Sequence, residues 1–270
     1  MLIIGLTGSI ATGKSTVSTI LSSPPYSLPI IDTDLLARKV VEPGTPGYNA
    51  IVKHFLPDSP DLLLPPSIPN DPSSPRPLNR PALGRRVFGT SEAATRDRAV
   101  LNGIVHPAVR HEIYKSLVYY YVRGYWAVVL DVPLLFESGM DVLCGTVVVV
   151  GVTDPAVQMA RLRKRDEHLS AEEAENRVLS QGGVKGKVER AEGRGRGRGL
   201  VVWNDSGKEE LEGEVRRAMK EVRCGSPQWW AWVLLLMPPV GLGVLAWNLG
   251  VNVWGNWAWG RKVRREKANL

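Results

Sequence analysis

Gly8-Ser9-Ile10-Ala11-Thr12-Gly13-Lys14-Ser15 follows directly on Leu2-Ile3-Ile4-Gly5-Leu6, an apolar run that reads as a short buried strand. Residues 15–21 then have helical character. The eight residues fit G-x-x-x-x-G-K-[ST], and strand, glycine loop and helix in that order make the spacing a phosphate cradle. Gly8 and Gly13 permit a tight turn, so successive N–H groups converge on phosphate oxygens. A helix beginning near Lys14 adds the positive end of its dipole. Lys14 can then reach the β- and γ-phosphates, and the Ser15 hydroxyl can ligate Mg²⁺. Such an opening predicts a nucleoside triphosphate site and commits the chain to a parallel sheet covered by helices.

The rest of the chain repeats the strand-then-carboxylate pattern. Pro29-Ile30-Ile31 reads as a strand ending in Asp32-Thr33-Asp34, with helical spacing over 35–41. Ligands of parallel sheets lie beyond the strands' carboxyl ends, so this acidic pair suits a general base or a metal-positioning role. One of the two is expected to cap the following helix instead. The apolar run 126–130 predicts a central strand ending in Asp131, which either accepts from a metal-bound water or caps. Further strands are predicted over 146–152 and 200–203, giving five. Helices are predicted over 80–88, over 92–102, from Gly103 to Tyr121 with Pro107 in the first turn, and over 208–223. A helix from Asp154-Pro155 ends in Arg161-Leu162-Arg163-Lys164-Arg165, and Ser170-Ala171-Glu172-Glu173 has capping-box spacing for another reaching Gln181. The basic run between them reads as a lid that clamps triphosphate charge, or as a solvated face. Residues 57–81 are proline-rich and predict a surface loop with no core of its own.

Charge narrows the class. Of the net +7, residues 182–199 and 261–270 contribute +4 each, so the remainder carries −1. No basic face for nucleic acid is implied. Residues 182–199 are Gly- and Arg-rich and read as flexible, whereas 224–260 contain no charged side chain and seven of the nine tryptophans. Cys144 and Cys224 are far apart, which predicts free thiols in a reducing compartment. No cleavable leader is expected, since its removal would take the phosphate loop with it.

Together these residues resemble the dephospho-coenzyme A kinase family from Leu2 to about Gly207. The resemblance rests on residues 6–16, on Ile31-Asp32-Thr33-Asp34-Leu35-Leu36-Ala37-Arg38, on Leu101-Asn102-Gly103-Ile104-Val105-His106-Pro107, and on Asp131-Val132-Pro133-Leu134-Leu135-Phe136-Glu137. Ser9 stands where the family usually has Gly, on an expected solvent-facing turn, and Thr33 replaces a common Ala. The resemblance implies a P-loop fold with a five-stranded parallel sheet. It implies a kinase domain over 1–224 with a helical acceptor cap at 42–125 and a lid at 161–199. It also implies transfer of the ATP γ-phosphoryl to the ribose 3′-hydroxyl of dephospho-coenzyme A, with Mg²⁺. Asp34 would be the base, assisted by Lys14 and Arg165. ATP would be held by Gly8, Ser9, Ile10, Ala11, Thr12, Gly13, Lys14, Ser15, Thr16, Arg161 and Asn204. Asp34, Arg38 and His106 would meet the acceptor, and Ser15 and Asp131 the metal. Two alternatives stay open: another nucleoside or nucleotide kinase on this scaffold, and a non-catalytic nucleotide-binding membrane scaffold.

Residues 225–270 predict an anchor and basic tail. About 20 apolar residues from Trp229 span a hydrocarbon core, with tryptophans at both ends and Arg261-Lys262-Val263-Arg264-Arg265 beyond. The expectation is a single span holding the enzyme, cytosol-facing, on an intracellular membrane, where other enzymes of coenzyme A synthesis could be partners. Pro238-Pro239 is the feature that could turn this span into an interfacial hairpin.

Overall fold

The computed structural model describes residues 1–66, 75–166, 178 and 183–268. Five parallel strands form one sheet in the order β2-β3-β1-β4-β5: β1 Leu2–Gly8, β2 Ile30–Asp32, β3 Ala127–Asp131, β4 Thr146–Gly151 and β5 Gly199–Trp203. In register, Leu2 faces Ala127, Ile4 faces Thr146 and Val147 faces Gly199. Every residue of β3 and β4 is buried, which is why both read as continuous Val-rich runs with no polar alternation.

The chain divides into two compact units, residues 1–31 with 119–270, and residues 32–118. In the first, Ile4, Leu6, Val129 and Val148 of the sheet pack with Val17 and Leu21 of α1 (Lys14–Ser22). Leu211, Val215, Met219 and Val222 of α8 (Lys208–Gly225) belong to the same core. The second holds α2 (Thr33–Lys39), α3 (Pro46–Phe55) and α4 (Arg80–Val87), with Ile51, Phe55, Leu62, Leu78 and Leu83 as its core.

Several expectations change. The helices expected over 92–102 and from Gly103 are one continuous α5, Glu92–Val122, with Pro107 inside it. Pro107 removes a single hydrogen bond, to the carbonyl of Gly103, and the 31-residue helix continues through it. The proline-rich stretch does contribute to a core: Leu62 is fully buried and Leu78 6% exposed, and Leu63 and Leu78 form an antiparallel bridge at its root. Its centre, and the helix expected from Ser170 to Gln181, lie outside the described residues. Residues 183–199 of the Gly/Arg-rich stretch form α7 (Val184–Glu192) and then a turn with Gly195 and Gly197 at φ 87° and 74°. Both cysteines are free; burial pushes the Cys144 thiol up to about 12.

The tail departs most. In place of one span it forms α9 (Gln228–Leu236) and α10 (Pro238–Ala268), bent by 116° at the break before Pro238-Pro239. Among the described residues, no single helix is long and apolar enough to cross a membrane. Pro238 has no N–H to continue the α9 ladder, and Met237 before it is pushed out of helical geometry, at φ −119° and ψ 76°. A pair of prolines therefore ends one helix and opens the next.

Candidate active site

The cradle is built between β1 and α1. Gly8 leaves no room for a side chain against Val150, and Gly13 lies at φ 94°, where a Cβ would also strike the Asn204 side chain. Ala11 sits in the left-handed region at φ 60°, an uncommon conformation for a residue with a Cβ. Thr12 is fully buried, and its Oγ1 donates to Ser9 O at 2.9 Å. Ser9 is only 4% exposed, so the expected solvent-facing turn is a buried one: the loop folds back on Ser9 rather than presenting it. Lys14 Nζ donates to Asp131 Oδ1 at the end of β3, so the cradle lysine and the strand-end carboxylate form an ion pair. Asp131 is nearly buried and Lys14 mostly so, which leaves a strongly favoured pair until a competing anion enters.

A second ring of residues fixes the loop. Asn204 Nδ2 donates to Thr12 O at 2.8 Å, Gln158 Nε2 to Ile10 O at 2.7 Å, and Arg161 Nη1 to Asn204 O at 2.6 Å. Arg161 also reaches Ser206 O at 3.3 Å, and Asp205 closes the same turn onto Thr153 through its N–H and hydroxyl at 2.6 and 2.7 Å. Arg161 and Asn204 thus buttress the cradle from α6 (Pro155–Arg165) and from the turn after β5. Arg165, in the last turn of α6, is exposed and forks onto Asp166 at 3.0 and 3.2 Å.

Sequence reasoning missed two residues here. Gln158 stands three residues before Arg161, on the same helix face, and that spacing could have flagged it. Lys187 gave no such signal, since it lies in the Gly/Arg-rich stretch. It is 3% exposed and donates to Pro133 O at 2.7 Å, with Glu137 at 3.4 Å. Burial lowers its pKa, against the opposing pull of Glu137. Pro133 O also accepts from Thr7 Oγ1 at 2.9 Å, so the segment after Asp131 is held by both β1 and α7. An open cavity of about 490 Å³ borders Ser15 and Thr16 and runs along α1 toward Tyr26, Lys208 and Arg216. It flanks the cradle and does not include Lys14 or Asp131.

The acidic motif belongs to the second unit, where the two carboxylates have separate roles. Asp32 caps α2: its Oδ1 accepts from Asp34 N at 2.8 Å and Leu35 N at 3.1 Å. Asp34 is exposed, and its carboxylate has no hydrogen-bond or ion-pair partner among the described residues. Arg38 follows by four residues on the same face of α2 and is also exposed. His106 is exposed in the middle of α5.

The family model for dephospho-CoA kinase matches residues 2–206. The chain belongs to the dephospho-CoA kinase family. It is 41% identical over 241 residues to the dephospho-CoA kinase of Saccharomyces cerevisiae, covering 89% of this chain and 90% of that one. It is 45% identical over 190 residues to the dephospho-CoA kinase of Bacillus cereus, covering 70% and 85%. Among solved structures it resembles TT1252 from Thermus thermophilus, with a TM-score of 0.60, 27% identity and coverage of 83% and 97%. The fold is also that of the dephospho-CoA kinase from Campylobacter jejuni, with a TM-score of 0.57, 24% identity and coverage of 83% and 98%. The chain is therefore an ATP-dependent kinase of this family.

Proposed function

We propose that this kinase transfers the γ-phosphoryl group of ATP to the ribose 3′-hydroxyl of dephospho-coenzyme A. The observation that carries the reading is the complete cradle, with Lys14 held beside its anion site by Asp131. Incoming phosphates compete for Lys14, and the loop amides and the α1 dipole add to the same field. In the transfer, the bond from the γ-phosphorus to the β,γ-bridging oxygen breaks as the bond to the ribose oxygen forms. The hydroxyl proton passes to Asp34, whose carboxylate is unengaged while that of Asp32 is occupied in capping. Arg165 is proposed to leave Asp166 and stabilise charge on the transferring group, and Arg38 and His106 to contact the acceptor. Catalysis rests mainly on positioning and charge, as phosphoryl transfer requires little covalent work from a protein.

Mg²⁺ is proposed as the cofactor. The Ser15 hydroxyl and the Asp131 carboxylate are the hard oxygen donors this ion takes, and it commonly keeps waters and substrate phosphates as its other ligands. When bound, the ion neutralises charge on the β- and γ-oxygens. We further place the enzyme facing the cytosol at an intracellular membrane, with its tail as the attachment and other enzymes of coenzyme A synthesis as neighbours.

The test is turnover of the full chain with ATP and Mg²⁺ against a panel of dephospho-coenzyme A, nucleosides and nucleoside monophosphates. The reading predicts coenzyme A as the dominant product. A preference for a nucleoside or nucleotide acceptor would replace it.

A further inference from the structure

α10 is inside out for a helix of a dissolved domain. Asn248, Asn252 and Asn256 recur every four residues along one face, and this polar face meets the body of the first unit. Arg190, Arg194 and Arg198 answer in antiparallel order. Arg190 donates to Asn256 Oδ1 at 3.2 Å, Arg194 to Asn252 Oδ1 at 2.7 Å, and Arg198 to Asn252 at 3.0 Å and Asn248 at 3.3 Å. Asn252 is 4% exposed, and its Nδ2 donates to Val142 O at 2.8 Å and Cys144 O at 3.0 Å. Behind this ladder, Arg194 pairs at 3.1 Å with the fully buried Asp141.

The other face is apolar and faces solvent. Trp247 and Trp254, seven residues apart, and Trp257 a turn later are 72%, 68% and 53% exposed. Arg261 continues the same seven-residue stripe, its guanidinium 4.7 Å from the Trp257 ring, and Lys262 lies 5.4 Å from the Trp259 ring. Arg264 and Arg265 are exposed beyond them, and α9 exposes Trp229, Trp232 and Leu236. Core-seeking burial would have produced the opposite orientation, with indoles inward and asparagines outward. A contiguous exposed apolar surface of this kind marks an interaction site.

Chemistry identifies what covers it. Tryptophan, apolar in body with one N–H, suits the boundary between headgroups and acyl chains, and the adjoining basic residues suit lipid phosphates. Self-association would leave the basic residues unanswered: residues 224–260, which a second copy would present to them, contain no acidic side chain. The arginine–asparagine ladder and the 116° bend hold α10 on the domain by its polar face, which leaves it able to lie on a bilayer rather than thread it. We infer that the α9–α10 hairpin seats this protein on an anionic membrane surface, with the Trp247–Trp254–Trp257 face among the headgroups and Arg261, Lys262, Arg264 and Arg265 on their phosphates, without crossing the bilayer. The inference is independent of the acceptor the kinase uses.

Full-chain protein is mixed with phosphatidylcholine vesicles, with or without phosphatidylserine, and followed by co-sedimentation and tryptophan emission. Binding is expected to the anionic vesicles, weakened by salt, with emission shifted to the blue and quenched most by bromines placed near the headgroup. The variant R261Q/R264Q/R265Q should lose roughly two orders of magnitude in partitioning, about fivefold per charge. W247S/W254S/W257S should abolish it. Because every substituted side chain is exposed, both variants should keep the unfolding midpoint and lipid-free turnover of the parent. Absence of binding to anionic vesicles would overturn the inference. So would strongest quenching from bromines at the bilayer centre, which means a span, or a dimer by light scattering whose formation alone shields the tryptophans.

Discussion

Asp32 and Asp34 stand two residues apart, and the start of α2 gives them different work. Asp32 accepts two backbone N–H groups, so Asp32→Ala should cost about 1 kcal/mol of stability, the usual size of a lost N-cap. Asp34→Asn should leave that stability and ATP affinity unchanged while lowering turnover by roughly 10²–10⁴-fold, as loss of a general base does. Thermal unfolding and single-turnover kinetics on both variants check the division, and equal kinetic losses would erase it. Lys14→Ala should weaken both ATP affinity and rate, whereas Arg165→Ala should act mainly on rate if this arginine meets only the transferring group. Isothermal titration beside steady-state kinetics separates the two effects. The cradle was legible in the sequence because it demands glycine twice, at Gly8 for want of room for a Cβ and at Gly13 for its left-handed backbone. Of the residues around it, Gln158 left only its three-residue spacing from Arg161 as a signal, since its partner Ile10 O is 148 positions away, and Lys187 left none, since no local pattern encodes its contact with Pro133 O at 54 positions' separation.

At the level of elements, strands were read closely and the arginine-rich stretch was not. Strands β3 and β4 announce themselves by unbroken apolar runs buried on both faces. In α7 and the turn after it, glycines among the arginines obscure a four-residue spacing that becomes meaningful only opposite Asn248, Asn252 and Asn256. The ion pair behind that ladder gives a stability prediction. Arg194→Ala leaves Asp141 as a fully buried carboxylate without its nearest cation, which should cost about 3–5 kcal/mol. Arg194→Lys should recover part of this by restoring charge without the fork that also reaches Asn252 and Cys144 O. Denaturant unfolding checks it, and a loss no larger than that of an exposed arginine would refute the role given to the pair.

For the molecule as a whole, the order β2-β3-β1-β4-β5 places the carboxyl ends of β1 and β3 side by side, which is how Lys14 and Asp131 come to meet. The tail's form was legible only in part: Pro238-Pro239 marked where a single span could become a hairpin, whereas the asparagines that dock α10 do not register on a hydropathy count. The central claim is the reaction, and ³¹P NMR of the product formed from ATP and dephospho-coenzyme A tests it most directly. A new phosphomonoester resonance at the ribose 3′ position, formed in step with ADP and abolished in Asp34→Asn, is the predicted result. ADP release with no phosphate on that ribose, or full product formation by Asp34→Asn, would contradict it.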